Sequence, residues 1–588
     1  MARKSDNIKT EKIEVKNFNN LKDNLNFEPG ISNTAYTIRD EVFYLGKTIF
    51  NGYPYVSALS EFLFNSTVPF PVASKRVSGC YMFELDSNKS IAIVKLEDKI
   101  YFFEHVPGSN PTTISDVTIS SSNREVYLEA IFCSTEKAST TGYSKYVFIN
   151  LPGEAWVVAY NTRIGAWQIE KVNNTYSAWT GTTAYSLGNR RIPTVANGYY
   201  YEITVAGTSS GVEPTWPTTI GNTVVDGTAT WICRGRYNNF PTTTSSSVKT
   251  LNGYIFVCVN GDIYNSDLDI PDSWNTSDFI STEIFPDNIV ALAKYKNYLV
   301  ALGQNTIEFF YDAANTSGTP LARQEGILHN IGCVGQAMVT DIEDKVFWIS
   351  QTSSQNYSIW TLEKFEAKKI STPEVDTWLS NLLADPVLYA PTTIQYMFMF
   401  LFRLNGRLML GIPDMSFGAN GTSPGSAQAL FVLDLEIGSS YYWESDTIPC
   451  QKLSRPFIWK NYFLWASNQL QSSNNNLVFT CLGITDYDRN LVGAAPLFRQ
   501  TPVFITRRLN FGTTCYKTLH EVQINTFPGT SFSPSFSVVR DKGSVTSVPV
   551  PANSYKAHRL GRAREFQLRF SGPGEVSSIV CKYSEHSN

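Results

Sequence analysis

The residues best suited to chemistry in this sequence are closely spaced carboxylates. Asp267, Asp269 and Asp272 lie near one another, and so do Asp486 and Asp488. Glycoside hydrolysis needs two facing carboxyl groups, and carboxylate oxygens can also hold a calcium ion. Acids grouped in a turn more often accept hydrogen bonds from backbone amides. The spacing therefore favours turn formation, with hydrolysis and a calcium site at Asp267 and Asp269 as the alternatives.

The other reactive side chains form no recognisable site. The five histidines lie far apart and show no HExxH, HxH or mixed Cys/His spacing, so neither a catalytic zinc nor a histidine-based triad is predicted. No GxSxG elbow, Walker loop or Rossmann turn appears. The nine cysteines are scattered and lack a CxxC pair, which indicates reduced core thiols. We therefore predict a protein that is not an enzyme and that carries no metal or cofactor.

Aromatic rings in residues 173–239 offer a different chemistry, the stacking of a flat ring on the apolar side of a sugar. This stretch is rich in turns and nearly free of charge, and its candidates for sugar contact are Tyr200 and Trp216. It resembles a small β-module found in many phage tail and chitin-binding proteins. A module of this size also needs aromatic side chains such as Trp231 for its own core. We therefore favour decoration or subunit contact over sugar binding.

Residues 501–588 carry an excess of cationic side chains in a chain whose net charge is -4. The arginines best suited to contacting a partner are Arg507, Arg508, Arg559, Arg562 and Arg564. Guanidinium groups bind carboxylates and phosphates equally well, so the cluster could dock an acidic protein surface or touch DNA. The third interpretation is an ordinary solvated face. Because the chain as a whole is acidic, any contact with DNA is expected to be local or loose.

The elements that must position these residues are short β-strands. Of the 588 residues, 13% are aromatic and only 17% are charged, a balance that suits pleated, half-buried surfaces. An apolar strand, a tight polar turn and a second apolar strand recur at a spacing of roughly 45–60 residues, as in propeller blades. Copies of this theme lie at 91–103, 251–264, 296–310 and 345–362. We predict an all-β protein with a β-propeller of six or seven blades; a sandwich or a string of β-domains is the alternative.

The sequence divides into four kinds of segment. We assign residues 1–75 to an N-terminal arm and interface region, 76–172 and 240–500 to the propeller, 173–239 to an inserted β-module, and 501–588 to a C-terminal β-domain or closing blade. The polar N-terminus has no secretory signal. The most apolar run, from Ile394 to Phe402, is too short to span a membrane and is predicted to be a strand buried on both faces.

The stretch from Ile263 to Cys333 combines strand-turn-strand punctuation with a distinctive set of residues. These are a turn from Tyr264 to Asp267, Pro271, Trp274, Glu283, Pro286, Asp287, Gly303 and the run from Thr306 to Tyr311. In these residues the chain resembles the packaged-DNA stabilisation proteins, the tail hub or nozzle subunits of short-tailed bacteriophages. The run from Arg559 to Arg564 resembles the end of the same family. The resemblance therefore covers the chain from Gly79 to the C-terminus, apart from the insertion.

The resemblance implies a structural virion protein, six copies of which form a ring below the head-to-tail adaptor. Such a subunit extends the portal channel, retains packaged DNA and connects to a needle, plug or spike. Double-stranded DNA passes it without sequence specificity. The implied location is the virion tail, after assembly in the host cytoplasm. Docking to the adaptor is then favoured over DNA contact for the arginine cluster, because tight phosphate contacts would hold the genome back.

Two other classes of function fit parts of the sequence. One is a carbohydrate-binding tail adhesin or depolymerising spike, which would use the module around Trp216 or the aspartate pairs. The other is a cellular propeller that serves as a scaffold for protein partners. A scaffold explains the repeats but neither the signature between Ile263 and Cys333 nor the run from Arg559 to Arg564, so it ranks last.

Overall fold

The structure is a computed structural model of the 588-residue chain. It describes residues 9–14, 45–46, 77–86, 89–96, 98–105, 112–123, 126, 128–134, 145–282, 287–315, 317–352, 356–384, 398–404, 407–414, 429–436, 439–444, 457–459, 462–471, 474–482, 503–505, 509–526, 535–541, 543, 545–548, 556–571 and 576–586. The regular structure of these residues is nearly all β-strand, which confirms the predicted all-β class. The exceptions are one helix, α1 (Pro373–Ala384), and two short 3-10 turns at Ser121–Asn123 and Gln336–Met338.

The N-terminal part contributes two short strands and then two antiparallel sheets. The short strands are β1 (Lys9–Glu14) and β2 (Leu45–Gly46). The first sheet has β3 (Val77–Asp86), β4 (Lys89–Leu96), β5 (Lys99–His105) and β6 (Thr112–Thr118). The second has β7 (Glu129–Ser134), β8 (Lys145–Leu151), β9 (Glu154–Asn161) and β10 (Ala166–Lys171).

The inserted segment folds into sheets of its own between the second and third propeller sheets. Its strands are β11 (Ala184–Tyr185), β12 (Arg190–Arg191), β13 (Tyr199–Val205), β14 (Gly207–Thr208), β15 (Thr223–Asp226) and β16 (Ala229–Arg236). The main sheet has the order β12-β13-β16-β15, and β11 pairs with β14. We call this unit the inserted module.

Five further sheets follow the inserted module. The first has β17 (Val248–Leu251), β18 (Tyr254–Val259), β19 (Asp262–Asp267) and β20 (Ile270–Ser281). The second has β21 (Ile289–Tyr295), β22 (Tyr298–Gly303), β23 (Ile307–Asp312) and β24 (Leu321–His329). The third has β25 (Val339–Ile342), β26 (Lys345–Thr352), β27 (Asn356–Glu363) and β28 (Glu366–Lys369). The next has β29 (Phe400–Leu404), β30 (Arg407–Asp414), β31 (Ala429–Asp434) and β32 (Ser439–Glu444), with β2 added in parallel beside β32. The last has β33 (Phe457–Trp459), β34 (Tyr462–Gln471) and β35 (Asn474–Leu482).

Six of these seven sheets follow one another side by side. The first strands of neighbouring sheets lie side by side: β3 beside β7, β7 beside β17, β17 beside β21, β21 beside β25, and β25 beside β29. The seventh sheet lies beside the first, where β33 and β34 contact β3. Radial packing of antiparallel sheets, each hydrogen-bonded in chain order, is the architecture of a β-propeller. The predicted propeller is confirmed, and its described residues form seven of the eleven sheets.

The propeller cores lie between neighbouring sheets. Ile93 and Phe102 of the first sheet pack with Val147 and Val158 of the second, and all four are fully buried. Because a sheet inside the propeller has a neighbour on both faces, its inner strands are almost continuous apolar runs. The part of the predicted buried strand that the structure describes follows this rule, since residues 398–402 are all buried.

Sharp turns connect the strands of each sheet. Asn252 and Gly253 link β17 to β18 with φ values of 50° and 85°, as a two-residue hairpin turn of this hand requires. The turn predicted from Tyr264 to Asp267 is wrong, because these residues lie in β19. The chain reverses just after them, where Asp269 has a φ of 59°. The polar residues in this stretch resembled a turn, but Asn265 and Ser266 are buried strand residues.

The C-terminal part forms two more four-stranded sheets. Its strands are β36 (Val503–Ile505), β37 (Tyr516–Thr526), β38 (Ser535–Arg540), β39 (Val545–Val548), β40 (Lys556–Ala563), β41 (Phe566–Ser571) and β42 (Val576–His586). One sheet has the order β36-β41-β38-β39. The other, which we call the C-terminal sheet, has the order β1-β42-β37-β40 and so takes its edge strand from the N-terminal part of the chain. No described helix is long and apolar enough to cross a membrane.

Candidate functional site

The signature residues between Ile263 and Cys333 have structural roles. The Asp287 carboxylate accepts hydrogen bonds from the backbone N–H groups of Asn305 (2.6 Å) and Thr306 (2.9 Å), and from the Thr306 hydroxyl (3.1 Å). A side chain at Gly303 would begin only 2.3 Å from an Asp287 oxygen, so this position needs glycine. Trp274 is buried against Phe148 of the preceding sheet. The signature therefore fixes the hairpin between β22 and β23 and the contact between two blades; Glu283 and Pro286 lie outside the described residues.

The closely spaced aspartates do not form one site. Asp267 lies 3.4 Å from the Arg236 guanidinium, whereas Asp272 accepts a hydrogen bond from the Tyr200 hydroxyl. Asp269 occupies the turn after β19. Among the described residues, no group of three or more His, Cys, Asp or Glu side chains is arranged to hold a metal ion. Asp486 and Asp488 lie outside the described residues.

The inserted module has an aromatic core built around one buried carboxylate. Asp226 accepts hydrogen bonds from the indole N–H groups of Trp179 (2.8 Å) and Trp231 (3.0 Å) and from the backbone N–H of Ser210 (2.8 Å). Burial alone would raise the pKa of Asp226, but these hydrogen bonds outweigh it and hold the pKa below its usual value. Trp231 thus serves the core, as its sequence context suggested.

The two aromatic residues assigned to sugar contact lie in different environments. Tyr200 is only 1% exposed, and its ring stacks on Tyr176 with centroids 4.7 Å apart. Tyr200, a candidate for sugar contact in the sequence, is therefore a buried residue. Trp216 is half-buried against Tyr201, and its indole N–H donates to Glu213 at 2.9 Å. Sugar stacking at Trp216 stays a prediction.

A group of buried and half-buried charges lies where the inserted module meets the propeller, and we call it the charge junction. Arg190, Glu202 and Arg234 belong to the module, whereas Glu170 on β10 and Asp272 on β20 belong to two propeller sheets. The charge junction therefore ties one module to two blades at once.

Ion pairs join the inserted module to both blades at the charge junction. Arg190 donates through Nε to Glu202 Oε2 at 2.9 Å and through Nη1 to Glu170. Arg234 Nη2 lies 3.7 Å from Asp272 Oδ2. Glu202 is fully buried and Arg234 is 1% exposed. Burial raises the pKa of Glu170 even though Arg190 opposes this shift. Buried ion pairs fix geometry more reliably than they add stability, so this arrangement sets the orientation of the module.

The predicted arginine cluster lies in part on the C-terminal sheet. Arg559, Arg562 and Arg564 all have exposed side chains, on β40 and the turn that follows it. The guanidinium carbons of Arg562 and Arg564 lie 5.1 and 4.8 Å from the centroid of the Tyr516 ring. The structure thus brings these two arginines together over one aromatic ring. Arg507 and Arg508 lie outside the described residues.

Further cations lie on the same sheet, around Glu521. Glu521 is close to Lys582 (3.0 Å), His558 (3.4 Å) and Lys556 (3.9 Å). The hydrogen bond from Lys582 is the main reason that the pKa of Glu521 is lowered. We call the surface formed by Lys556, His558, Arg562, Arg564, Tyr516 and Lys582 around Glu521 the basic face.

Three residues of this region were not given a role of their own from the sequence. Tyr516 and Glu521 lie on a strand whose pairing with β40 could not be known. Lys517 resembles a surface lysine but is fully buried. Strand alternation places Lys517 on the same side as the buried Leu519, and this parity is the signal that could have revealed it.

The middle of the chain is similar to a known protein family. Residues 160–395 match the family model described as "Bacteriophage P22 Gp10, beta-propeller". This segment is similar to the P22 Gp10 β-propeller family. The match confirms the resemblance predicted from the signature. It runs across the inserted module, whereas Gly79 and the run from Arg559 to Arg564 lie outside it.

A curated relative supports the same family. The tail hub protein gp10 of Salmonella phage P22 is 23% identical over 212 residues, which make up 35% of this chain and 44% of the relative. The match thus spans less than half of the length of the P22 protein. The role of the whole P22 protein is consequently a basis for proposals about this chain.

Solved structures give only distant likenesses. A humanised mutant of the Polycomb Repressive Complex 2 from Chaetomium thermophilum, bound to the inhibitor GSK126, is 8% identical, with 65% of this chain and 72% of that chain covered and a TM-score of 0.24. Kluyveromyces lactis Hsv2 is also 8% identical, with 63% of this chain and 98% of that chain covered and a TM-score of 0.24. TM-scores this low carry no argument about fold or function.

Proposed function

We propose that this protein is a tail hub, or nozzle, subunit of a short-tailed bacteriophage. The observation that carries the proposal is the match of residues 160–395 to the P22 Gp10 propeller family. In this role several copies, six by analogy with the family, form a ring that continues the channel below the portal and its adaptor. The ring retains the packaged DNA and connects to a needle, plug or spike.

The proposed mechanism is mechanical. A propeller with a core between neighbouring blades is a stiff body, because core packing leaves little room for one sheet to move against the next. The charge junction adds the inserted module to this body in a fixed orientation. Rigid subunits suit a tube that must hold DNA until the host is met. The DNA slides through without sequence-specific contacts, which suits a chain of net charge -4.

The arginine cluster is the surface that we assign to docking. Its exposed arginines lie on the C-terminal sheet, outside the sheets that carry the family signature. We propose that this surface faces another tail component such as the adaptor. The inserted module then decorates the ring or contacts a neighbouring subunit.

The experiment that tests this function is electron microscopy of particles from the parental virus with the gene disrupted. DNA content, tail length and adsorption are scored for each particle. We expect filled heads to lose their DNA and the tail to stop at the adaptor. Particles that keep their DNA and a full tail core, but fail to attach or to degrade surface polysaccharide, would instead support a carbohydrate-binding adhesin or depolymerising spike.

A further inference from the structure

The two arginines that flank Tyr516 form a compact group on the basic face. We propose that Arg562, Tyr516 and Arg564, which we call the arginine clamp, bind a carboxylate-rich segment of a protein partner. This inference rests on the proposed function and deepens it, because it names the residues that dock and the chemistry that they recognise.

The geometry of the arginine clamp suits carboxylates. Both guanidinium groups lie over the Tyr516 ring, at 5.1 and 4.8 Å from its centroid, and the tyrosine itself is 37% exposed. No acidic side chain of the described residues forms an ion pair with Arg562 or Arg564. The planar guanidinium group carries its N–H donors in a fork that matches a carboxylate in pairs.

Lys517 stabilises the backbone that carries the arginine clamp. Its fully buried side chain donates through the ammonium group to the backbone carbonyls of Thr513 (2.7 Å), Cys515 (2.8 Å) and Arg564 (3.0 Å). One side chain thus ties the backbone next to Tyr516 to the backbone of Arg564. Burial lowers the pKa of Lys517, which is the cost of placing a cation there.

A second contact fixes the same turn from the other side. The Asp541 carboxylate accepts hydrogen bonds from the backbone N–H groups of Arg564 (2.9 Å) and Glu565 (3.1 Å). The backbone that carries Arg564 is therefore held by two buried or half-buried charges. An ordinary solvated face has no need of such support. Preorganisation of this kind reduces the entropy lost when a partner binds.

The surroundings of the arginine clamp favour carboxylates over the phosphates of DNA. Glu521 lies on the same basic face and is held by Lys582, Lys556 and His558. A fixed carboxylate in the middle of the face repels a continuous phosphate backbone, whereas a protein surface with separate acids can avoid it. The preferred partner is thus an acidic protein segment.

A binding assay with the full-length chain tests the proposal. The probe is a fluorescent oligoglutamate peptide, and its affinity is measured by anisotropy at low and at physiological salt. The double variant Arg562→Gln/Arg564→Gln should weaken binding about tenfold at low salt. The control Lys364→Gln/Lys368→Gln removes the same charge from exposed positions in the hairpin of β27 and β28 and should leave the affinity unchanged. Equal loss in both double variants would overturn the proposal, because only net charge would then matter.

Misfolding could also explain a loss of affinity, so a second variant is chosen that should bind more tightly. Glu521→Gln removes the one carboxylate of the basic face and frees the cations around it, so oligoglutamate should bind more tightly. A short DNA duplex is tested beside the peptide. If the duplex binds more tightly than oligoglutamate and loses affinity in Arg562→Gln/Arg564→Gln, the site is a phosphate site and the proposal is overturned. Failure of the wild-type protein to bind oligoglutamate overturns it as well.

Particle assembly separates this proposal from the proposed function. The disrupted gene is complemented with wild-type, Arg562→Gln/Arg564→Gln or Lys364→Gln/Lys368→Gln protein, and the hub content of purified particles is measured. We expect the arginine variant alone to be lost from the particles. Normal incorporation of that variant would overturn the arginine clamp while leaving the hub function intact. Intact tails without any copy of the protein would instead overturn the hub function.

Discussion

The charge junction and the basic face use the same residue types in opposite ways. In the charge junction, Arg234 is 1% exposed and Glu202 is fully buried, and the arginines lie close to acids from the module and from the blades. On the basic face, Arg562 and Arg564 are exposed and lie over Tyr516 instead of an acid. The charges of the charge junction are paired with one another inside the molecule, whereas the arginines of the basic face remain accessible to a partner.

The difference between the two regions indicates whether an arginine serves folding or binding. A buried arginine needs acids from its own chain, so its loss is felt in folding. An exposed arginine contributes little to folding, so its position over an aromatic ring above a buried lysine calls for another explanation. The two regions should therefore separate stability from binding when each is mutated.

The largest effect is expected at the charge junction. Arg234→Met leaves Glu202 and Asp272 buried with less compensation, which should cost about 3–5 kcal/mol of unfolding free energy. Urea unfolding of the full-length chain, followed by tryptophan fluorescence, measures this cost. The matched control Arg562→Met should change the free energy by less than about 0.5 kcal/mol. Similar costs for the two variants would remove the distinction between the regions.

A smaller effect is expected from Asp226 in the core of the inserted module. Asp226→Asn turns one of its oxygens into a donor that faces either the two indole N–H groups or the backbone N–H of Ser210, at a cost of about 1–3 kcal/mol. The pKa of Asp226 is lower in the folded protein, so its contribution is present above about pH 4 and is lost as the pH falls through the folded value. The stability difference between wild type and variant, measured by urea unfolding at several pH values, should therefore shrink in acid. A difference independent of pH would contradict this account.

The smallest effect on stability is expected on the basic face. Arg562→Gln/Arg564→Gln should change the unfolding free energy by less than about 1 kcal/mol, because exposed charges contribute little. Thermal and urea unfolding of the same protein samples used for oligoglutamate binding provide the measurement. A loss of stability comparable to that of Arg234→Met would mean that the arginine clamp holds the C-terminal sheet together instead of serving a partner.

The propeller could be predicted from the sequence because its strand-turn-strand theme is local and repeated. Turn pairs such as Asn252 and Gly253, and apolar runs such as residues 299–302 in β22, are visible without knowledge of long-range contacts. The predicted turn from Tyr264 to Asp267 failed because buried polar residues in a strand look like turn formers. Blade number also needed the structure, since only the contact of β3 with β33 shows that the seventh sheet lies beside the first.

The candidate sites were less accessible to sequence reasoning. The charge junction joins residues on five strands of three sheets and has no local motif; its members are Glu170, Arg190, Glu202, Arg234 and Asp272. The run from Arg559 to Arg564 was visible as an excess of charge. Its aromatic partner was not, because the register that places Arg562 opposite Thr518 depends on the folded sheet. Tyr200 shows the same limit, since an aromatic run does not reveal which ring is covered.

The pairing of β1 with β42 has a consequence for synthesis of the chain. Lys9 pairs with Tyr583, so the C-terminal sheet is complete only when residues from both extremes of the sequence are present. At roughly 5–20 residues per second, β1 leaves the ribosome roughly half a minute to two minutes before its partner strand. A chain that is interrupted during translation would contain propeller strands but would lack β42, and its basic face would be incomplete. We expect growing tails to take up complete subunits and to leave interrupted chains behind.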